Sequence, residues 1–236
     1  MSEQNDPQVG ASQPDLVRWA ETLAGVARTG LGFTESLYEQ ERFEEVLAVA
    51  AEIKVAAGWP FDTERIVSDW HDTIGRGIPG YQTPKVTIGA VVGNDAGEIL
   101  LVQRADSGVW LFPTGWADIG YSPSEVAVKE VQEETGIECE VVRLISVIDA
   151  LQLGFTHIPF YSLVFHCRAV GGEVVPHPLE CADAGWFARD ALPGFVAGFE
   201  QWGERAFRAI DGEPLDVQFD APRTPPWRGH PDHPLE

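Results

Sequence analysis

The chain has 236 residues, of which 44% are hydrophobic and 10% aromatic. This composition predicts a folded protein with room for one domain and a smaller second one. The formal net charge of −21 argues against nucleic-acid binding through a general basic surface. No apolar run reaches the roughly eighteen residues that a membrane span requires. The N-terminal sequence also lacks the basic and apolar regions of a signal peptide, and the three cysteines have no metal-ligand spacing, so a cytoplasmic protein is expected.

The first third of the chain predicts a small helical domain at 14–75, after a polar and disordered segment at 1–13. Apolar residues recur at helical spacing from Leu16 onward, and the sequence 29–32, TGLG, is expected to end that first helix. Further helices are predicted at 36–57 and 63–72. No cluster of chemically reactive side chains occurs here, so the segment is expected to form a homodimer through its apolar residues, which are Leu16, Trp19, Leu23, Phe43, Val46, Leu47 and Ile53.

From residue 80 the pattern changes to strands, and a second domain is predicted at 80–212. Runs rich in β-branched and aromatic residues indicate strands, and Asn94-Asp95-Ala96-Gly97 indicates the turn of a hairpin. A terminal helix at 199–210 precedes a proline-rich tail at 213–236, which is expected to be irregular. The order of elements predicts an α+β fold in which a mixed sheet lies between helices. The predicted strands are 86–92, 99–102, 140–150, 160–170 and 185–187.

The segment 115–137, GWADIGYSPSEVAVKEVQEETGI, is the most informative part of the chain. Ser122-Pro123-Ser124-Glu125 is a capping box that begins a helix, and Gly136 suits its left-handed C-terminal cap. At about 100° per residue, Glu130, Glu133 and Glu134 fall on one face of that helix. The helix is expected to pack through an opposite stripe formed by Val128, Val131 and Thr135.

Three carboxylates side by side repel one another unless a cation neutralises them. Hard oxygen ligands of this kind suit Mg²⁺ or Mn²⁺, which also bind substrate phosphate oxygens. The loop Pro113-Thr114-Gly115 precedes the helix, and the carbonyl of Thr114 is a further candidate ligand. The alternative reading of the pattern is a plain solvated acidic face.

These residues resemble the Nudix box, G-x5-E-x7-R-E-U-x-E-E-x-G-U, in which U is a bulky aliphatic residue. Gly115 matches its first glycine, and the matches from Glu130 to Ile137 are in register. Tyr121 stands where the family usually has glutamate, and Lys129 where it usually has arginine. Lysine keeps the charge but loses the planar fork. The resemblance implies an α/β/α sandwich and a metal-dependent pyrophosphohydrolase with a modified site.

The chain also resembles one Nudix subgroup, over residues 15 to 193 or so. The sequences 80–86, GYQTPKV, and 115–121, GWADIGY, carry this resemblance. The subgroup has a helical N-terminal domain and includes bacterial CDP-choline pyrophosphatases, and some members have tyrosine at the position of Tyr121. It implies a small substrate, a nucleoside diphosphate linked to another moiety such as a CDP-alcohol or ADP-ribose.

Further site residues follow from the resemblance. Arg104 is expected to contact substrate phosphates, and Glu180 to act as an extra metal ligand or general base beside Glu130 and Glu133. Trp116 and Tyr121 are candidates for stacking on a nucleobase. Asp118 is a possible charge partner for Lys129, and His157 a possible pocket residue.

Two other functions remain open from the sequence. Tyr121 and Lys129 favour a non-catalytic module that binds or senses nucleotides, whereas the three glutamates oppose it. A hydrolase of nucleoside triphosphates or RNA is the other alternative, which the acidity of the chain disfavours for long RNA.

Overall fold

The computed structural model describes residues 11–77, 79–80, 83–153, 156 and 158–221. Two compact units are present. The first contains the described residues up to Lys85 together with those of Asp149–Phe160, and the second contains Val86–Ile148 and the described residues from Tyr161 onward. The domain boundaries drawn from the sequence stay predictions, and His157 lies outside the described residues.

Three helices build the first unit: α1 (Gln13–Phe33), α2 (Leu37–Ala56) and α3 (Thr63–His71). Each begins at a side-chain N-cap, formed by Ser12, Ser36 and Asp62 respectively. The predicted second and third helices are therefore confirmed to within a residue. Part of the segment expected to be disordered, residues 12 and 13, belongs to the start of α1.

The prediction that the first helix ends at 29–32 was wrong, because α1 continues to Phe33. Glycine usually weakens a helix interior, but here it permits a close contact between helices. A Cβ atom at Gly30 would lie 2.2 Å from the Phe43 ring on α2. Tertiary packing with Phe43 thus keeps the glycine-containing turns helical.

The second unit contains a seven-stranded sheet with the order β3-β2-β1-β6-β5, in which β4 also pairs with β1 and β7 with β2. The described part of the predicted tail runs beside β5, since the Gln218 N–H donates to Ile145 O at 2.9 Å. The predicted strands are present, and β3 and β4 were not predicted. The strands are β1 (Lys85–Gly93), β2 (Ile99–Arg104), β3 (Trp110–Leu111), β4 (Thr114–Trp116), β5 (Ile137–Asp149), β6 (Phe160–Gly172) and β7 (Cys181–Phe187).

One helix covers each face of this sheet. Helix α4 (Pro123–Thr135) buries Val126, Ala127 and Val131 in a core with alternate residues of β1. Helix α5 (Phe199–Ile210) packs on the other core, which contains Val91 and Phe207. Such two-sided burial explains why β1 is continuously apolar from Ile88 to Gly93 rather than alternating. The predicted α/β/α sandwich with a helical N-terminal region is confirmed.

None of the helices in the described ranges is long and apolar enough to cross a membrane. Cys139, Cys167 and Cys181 are buried free thiols. The cytoplasmic location stays a prediction.

His166 on β6 is a buried polar residue on the face covered by α5. Its side chain is 8% exposed, and its Nδ1 has no hydrogen-bond partner among the described residues. Burial, followed by the charge of Arg143, lowers the pKa of His166 to about 4 from an ordinary 6.5. A neutral imidazole is therefore part of the folded state, whereas the unfolded chain takes up a proton below pH 6.5.

We predict that His166 contributes to acid sensitivity. The contribution of the neutral imidazole to the free energy of unfolding is fully present above pH 6.5 and is lost as the pH falls toward 4. Between pH 7.5 and 5.0 the loss is at most about 2 kcal/mol, reduced where water screens the ring. Urea unfolding of the parent and of His166→Gln at pH 7.5 and at pH 5.0 measures this loss of stability. Equal pH dependence in the two proteins would contradict the prediction.

Candidate active site

Helix α4 is fixed at both ends by local sequence. The Ser122 side chain accepts from the Glu125 backbone N–H, and the Glu125 carboxylate accepts from the Ser122 N–H at 2.6 Å. Gly136 ends the helix with a φ of 74°, a left-handed conformation that favours glycine. The predicted capping box and C-cap are both confirmed, and they fix the residues at which the helix begins and ends.

Strand β4 lies against the acidic side of α4. Glu134 is 7% exposed, and its Oε2 accepts the backbone N–H of Thr114 at 3.0 Å. A Cβ atom at Gly115 would lie 2.3 Å from the Glu130 carboxyl carbon. The glycine is therefore needed for the close approach of Glu130 to the backbone of β4. The segment 113–115, predicted to be a tight loop, instead contributes Thr114 and Gly115 to a strand paired with β1.

Burial disfavours the ionised form of the Glu130 and Glu134 carboxyl groups. It raises the pKa of Glu134 to about 8, with further upward contributions from Glu130 and Glu180 that the Thr114 N–H partly offsets. Burial also raises the pKa of Glu130, which the Lys129 charge partly opposes. A divalent cation would reverse both shifts, because an opposite charge favours the carboxylate.

Glu133 has a different environment from its two neighbours. It is exposed, and its Oε2 accepts from Lys129 Nζ at 2.7 Å. The same ammonium lies 3.2 Å from Asp118 Oδ2, so the charge pairing inferred between Asp118 and Lys129 is present. Hydrogen bonds to Glu133 and then Asp118 raise the pKa of Lys129.

The buried arc of α4 contains Val126, Val131, Glu134 and Thr135, whereas Val128 is only half-buried. The apolar stripe is thus not opposite the acidic face but adjoins it. Within the described ranges, no three Asp, Glu, His or Cys side chains converge closely enough to hold one metal ion. Glu130 and Glu134 remain as a desolvated pair of hard oxygen donors. Such a pair fits Mg²⁺, which is held by one or two carboxylates together with water and substrate phosphates.

Arg104 and Glu180 lie near this pair. The Arg104 guanidinium binds Asp106 through two contacts, Nε–Oδ1 at 3.0 Å and Nη2–Oδ2 at 2.6 Å. The charge of Glu134 contributes to raising the Arg104 pKa, after the hydrogen bond to Asp106. Glu180 is exposed and close enough to influence the pKa of Glu130 and Glu134. Its carbonyl accepts the Ala105 N–H at 2.8 Å, which joins the two segments.

The end of β4 and the loop from β4 to α4 carry exposed apolar side chains. Trp116, Ile119 and Tyr121 all lie on the surface, and Ile119 is fully exposed. Trp110 and Phe112 instead pack in the core through edge contacts with Phe187 and Trp202. Trp116 and Tyr121 are therefore accessible to a ligand, and their roles in binding stay predictions.

Sequence reasoning missed three contributors to the site. The Thr114 N–H was overlooked because attention went to its carbonyl, and the need for a glycine at Gly115 depends on a contact across the fold. Asp106, two residues after Arg104, was a visible signal that the arginine has a local partner.

Comparison with known proteins identifies the family. Residues 83–209 match the NUDIX domain, and residues 14–58 match a UDP-X-like, N-terminal oligomerisation domain. The chain belongs to the Nudix hydrolases, a family of pyrophosphohydrolases that generally use divalent metal ions. The resemblance seen in the sequence is confirmed for the family and for its helical N-terminal domain.

Three similar proteins cover different parts of the chain. The Bacillus subtilis (strain 168) protein YjhB, provisionally named an ADP-ribose pyrophosphatase, is 32% identical over 74% of this chain and 81% of its own. The structure of a UDP-X diphosphatase has 28% identity and a TM-score of 0.52, covering 89% of this chain and 100% of that one. An NAD-capped RNA hydrolase of Pseudomonas aeruginosa (strain LESB58) is 34% identical over 50% of this chain but only 41% of its own length.

We predict that Gly115→Ala impairs metal binding more than folding. The added methyl group collides with the Glu130 carboxylate, which must move away. Mn²⁺ affinity should fall about 10–100-fold, as when groups supporting a metal site are disturbed. Titration with Mn²⁺ and a thermal melt would separate the two effects.

Gly185→Ala on β7 is the control, because its added methyl group meets only the Phe187 ring at 3.3 Å. If Gly115→Ala bound Mn²⁺ as the parent does, the assignment of Glu130 to the metal site would be wrong.

Proposed function

We propose that this protein is a metal-dependent pyrophosphohydrolase that cleaves the diphosphate of a nucleoside diphosphate linked to another moiety. The observation that carries the proposal is the desolvated Glu130 and Glu134 pair, held by a capped helix against β4 in a Nudix domain. The products would be a nucleoside monophosphate and a phosphorylated second product.

In this proposal Glu130 and Glu134 hold Mg²⁺ or Mn²⁺, with Thr114 as a further candidate ligand. The bound cation supplies charge neutralisation at the phosphate oxygens. Thr114 fixes one oxygen of Glu134 through its N–H, which leaves the other oxygen to bind. Glu180 or Glu133, both exposed carboxylates, takes the proton of the attacking water. Arg104 would exchange Asp106 for a substrate phosphate, since both offer oxygen pairs to its planar fork.

The proposal for the substrate class is based on similarity over most of the chain rather than on the Nudix box alone. The N-terminal match and the similarity to a UDP-X diphosphatase over 89% of the chain both favour a nucleoside diphosphate conjugate. Similarity to the protein named for ADP-ribose favours the same class. We therefore propose UDP-sugars, ADP-ribose and CDP-choline as the first compounds to test. Trp116 and Tyr121 provide exposed aromatic surface for the base.

A nucleotide sensor is the alternative that the departures at Tyr121 and Lys129 favour. The contact between Lys129 and Asp118 weakens that case, because the chain supplies its own anionic partner for the lysine. Binding of conjugates without turnover at any metal concentration would support the sensor.

We predict that Glu134→Gln strongly lowers turnover and leaves the fold intact. The amide can still accept the Thr114 N–H, but one anionic ligand is lost, so the rate should fall at least the 10–100-fold typical of groups supporting a metal site. As the pH rises from 4.5 toward 8, the unfolded state loses the Glu134 proton first, which favours unfolding. The metal-free variant should therefore melt no lower than the parent at pH 7.5.

Phosphate release by a coupled phosphatase, with and without Mg²⁺, measures this across the conjugates. Glu138→Gln is a matched control, because that glutamate is exposed on β5, just beyond the end of α4. Parental turnover by Glu134→Gln would refute the catalytic assignment.

We also propose that the helical unit forms a homodimer. Trp19, Val26 and Phe33 repeat every seven residues on α1 and are 41%, 57% and 57% exposed. They form an apolar stripe in a segment that matches an oligomerisation domain. Of the residues first expected at the interface, Leu47 is buried within the unit, and Leu23, Phe43 and Val46 pack against the same core. Those residues therefore belong to the internal core of the unit, and the α1 stripe remains exposed for association.

We predict that Val26→Glu shifts the protein from dimer to monomer. A buried unpaired carboxylate would oppose association strongly, whereas the exposed position leaves the monomer fold unaffected. Light scattering should give twice the monomer mass for the parent and the monomer mass for the variant. Val170→Glu, on β6 and similarly exposed, is the control that should stay dimeric. A parent that is monomeric at micromolar concentration would sink the proposal.

A further inference from the structure

The described part of the C-terminal tail lies beside three arginines. Arg208 on α5 pairs with the Glu213 carboxylate at 2.7 Å, and Arg205 donates to Asp216 O at 2.6 Å. Arg143 on β5 donates from Nη2 to the backbone carbonyl of Glu213. Of the three arginines, only Arg208 forms a salt bridge with another described residue. Two arginines beside the tail thus lack an ion pair within the described ranges, although the chain carries a net charge of −21.

Arg143 and His166 each contain a buried nitrogen atom that is left without a hydrogen bond. They lie on the neighbouring strands β5 and β6; His166 is 8% exposed and Arg143 is half-buried. Within the described part of the chain, neither Arg143 Nε nor His166 Nδ1 has a hydrogen-bond partner. Burial, and then the charge of Arg143, lowers the pKa of His166, which indicates that the two side chains are close together. Buried polar groups without partners are unfavourable and rare.

A small anion would satisfy both nitrogen atoms at once. Arg143 Nε–H can only donate, and the neutral His166 ring donates from Nδ1 in one of its two tautomers. A water molecule would accept the same hydrogen bonds, but it would leave the charge of Arg143 unopposed. Because a hydrogen bond between two charged groups is the stronger kind, the unpaired guanidinium favours an anion over water.

We propose that Arg143 and His166 form a binding site for a small inorganic anion, of the kind represented by chloride and phosphate, beside the tail. The donors are Arg143 Nε–H and His166 Nδ1–H. Arg143 Nη2 also binds Glu213 O, so one side chain joins the anion to the tail. The tail pairs with β5 nearby, where the Val147 N–H donates to Gln218 O at 2.9 Å. The bound anion therefore fastens the tail to the sheet, and this role does not depend on the proposed hydrolysis.

The test uses the full chain with ¹⁵N-labelled histidine, without metal and at pH 7.5. Potassium chloride, or separately potassium phosphate, replaces potassium gluconate at constant ionic strength, so that general screening does not change. The His166 resonances, assigned by their loss in His166→Gln, should shift and saturate, with the ring proton on Nδ1. Arg143→Met should lower the affinity about 10–100-fold, the range for losing a hydrogen bond to a charged group.

Two other arginine variants are the controls for this titration. Arg168→Met removes an exposed cation of β6, which pairs with Glu140 at 2.9 Å, and should leave the anion affinity unchanged. Arg104→Gln removes the basic residue of the candidate active site and should also leave it unchanged. Loss of the His166 shift in Arg104→Gln would place the anion at the active site and overturn the proposal.

Hydrogen exchange gives the second readout, because it reports on the tail. At ten times the Kd, the anion should slow exchange of the Val147 and Gln218 amides by up to about tenfold in the parent. The Ala117 amide, which donates to Val86 O, should be unaffected. Arg143→Met should show no such slowing.

Two results would overturn the anion site: a His166 resonance that neither chloride nor phosphate moves, and a parental affinity in Arg143→Met. A His166 shift without slower exchange at Gln218 would overturn the link to the tail. Should Arg143→Met fail to fold, the titration and the exchange of the parent still decide both points.

Discussion

The contact between α4 and β4 is the constraint on which the rest of the site depends. Burying Glu134 against the Thr114 N–H costs solvation that a single hydrogen bond does not fully restore, as its raised pKa shows. The fold accepts this cost because α4 is fixed on its other buried side by Val126, Ala127 and Val131. Core packing thus holds a carboxylate where it would not remain by itself, and a cation can relieve the strain.

The charged side chains around this contact are paired with one another. The chain carries a net charge of −21, so anionic substrates meet an unfavourable field until local cations oppose it. Near the site those cations are Lys129 and Arg104, and both are already paired with carboxylates. Lys129 has two acidic partners, Glu133 and Asp118, whereas Arg104 binds the exposed Asp106 through two contacts. Each of them offsets part of the negative charge of the acidic pair, Lys129 at Glu130 and Arg104 at Glu134.

Sequence reasoning succeeded where structure is local. Helix α4 has its capping box and glycine cap in the sequence, and α5 was predicted at the residues where it occurs. It failed where contacts between residues distant in the sequence determine the local structure. Phe43 keeps the turns around Gly30 helical, and pairing with β1 makes a strand of 114–116. Glu133 and Glu134 look alike in the sequence, but Glu133 pairs with Lys129 one turn earlier on the same helix, whereas Glu134 accepts from Thr114. Only the Thr114 contact depends on the tertiary fold.

The segment that carries Glu180 is tied to the end of α4 through its backbone. The Val175 N–H donates to Thr135 O at 2.8 Å, and the His177 N–H to Glu134 O at 3.0 Å. Because main-chain atoms make these bonds, replacing the side chains of this segment leaves them in place. The segment can therefore vary its exposed surface, as at Leu179, without shifting the spacing between Glu180 and Glu134.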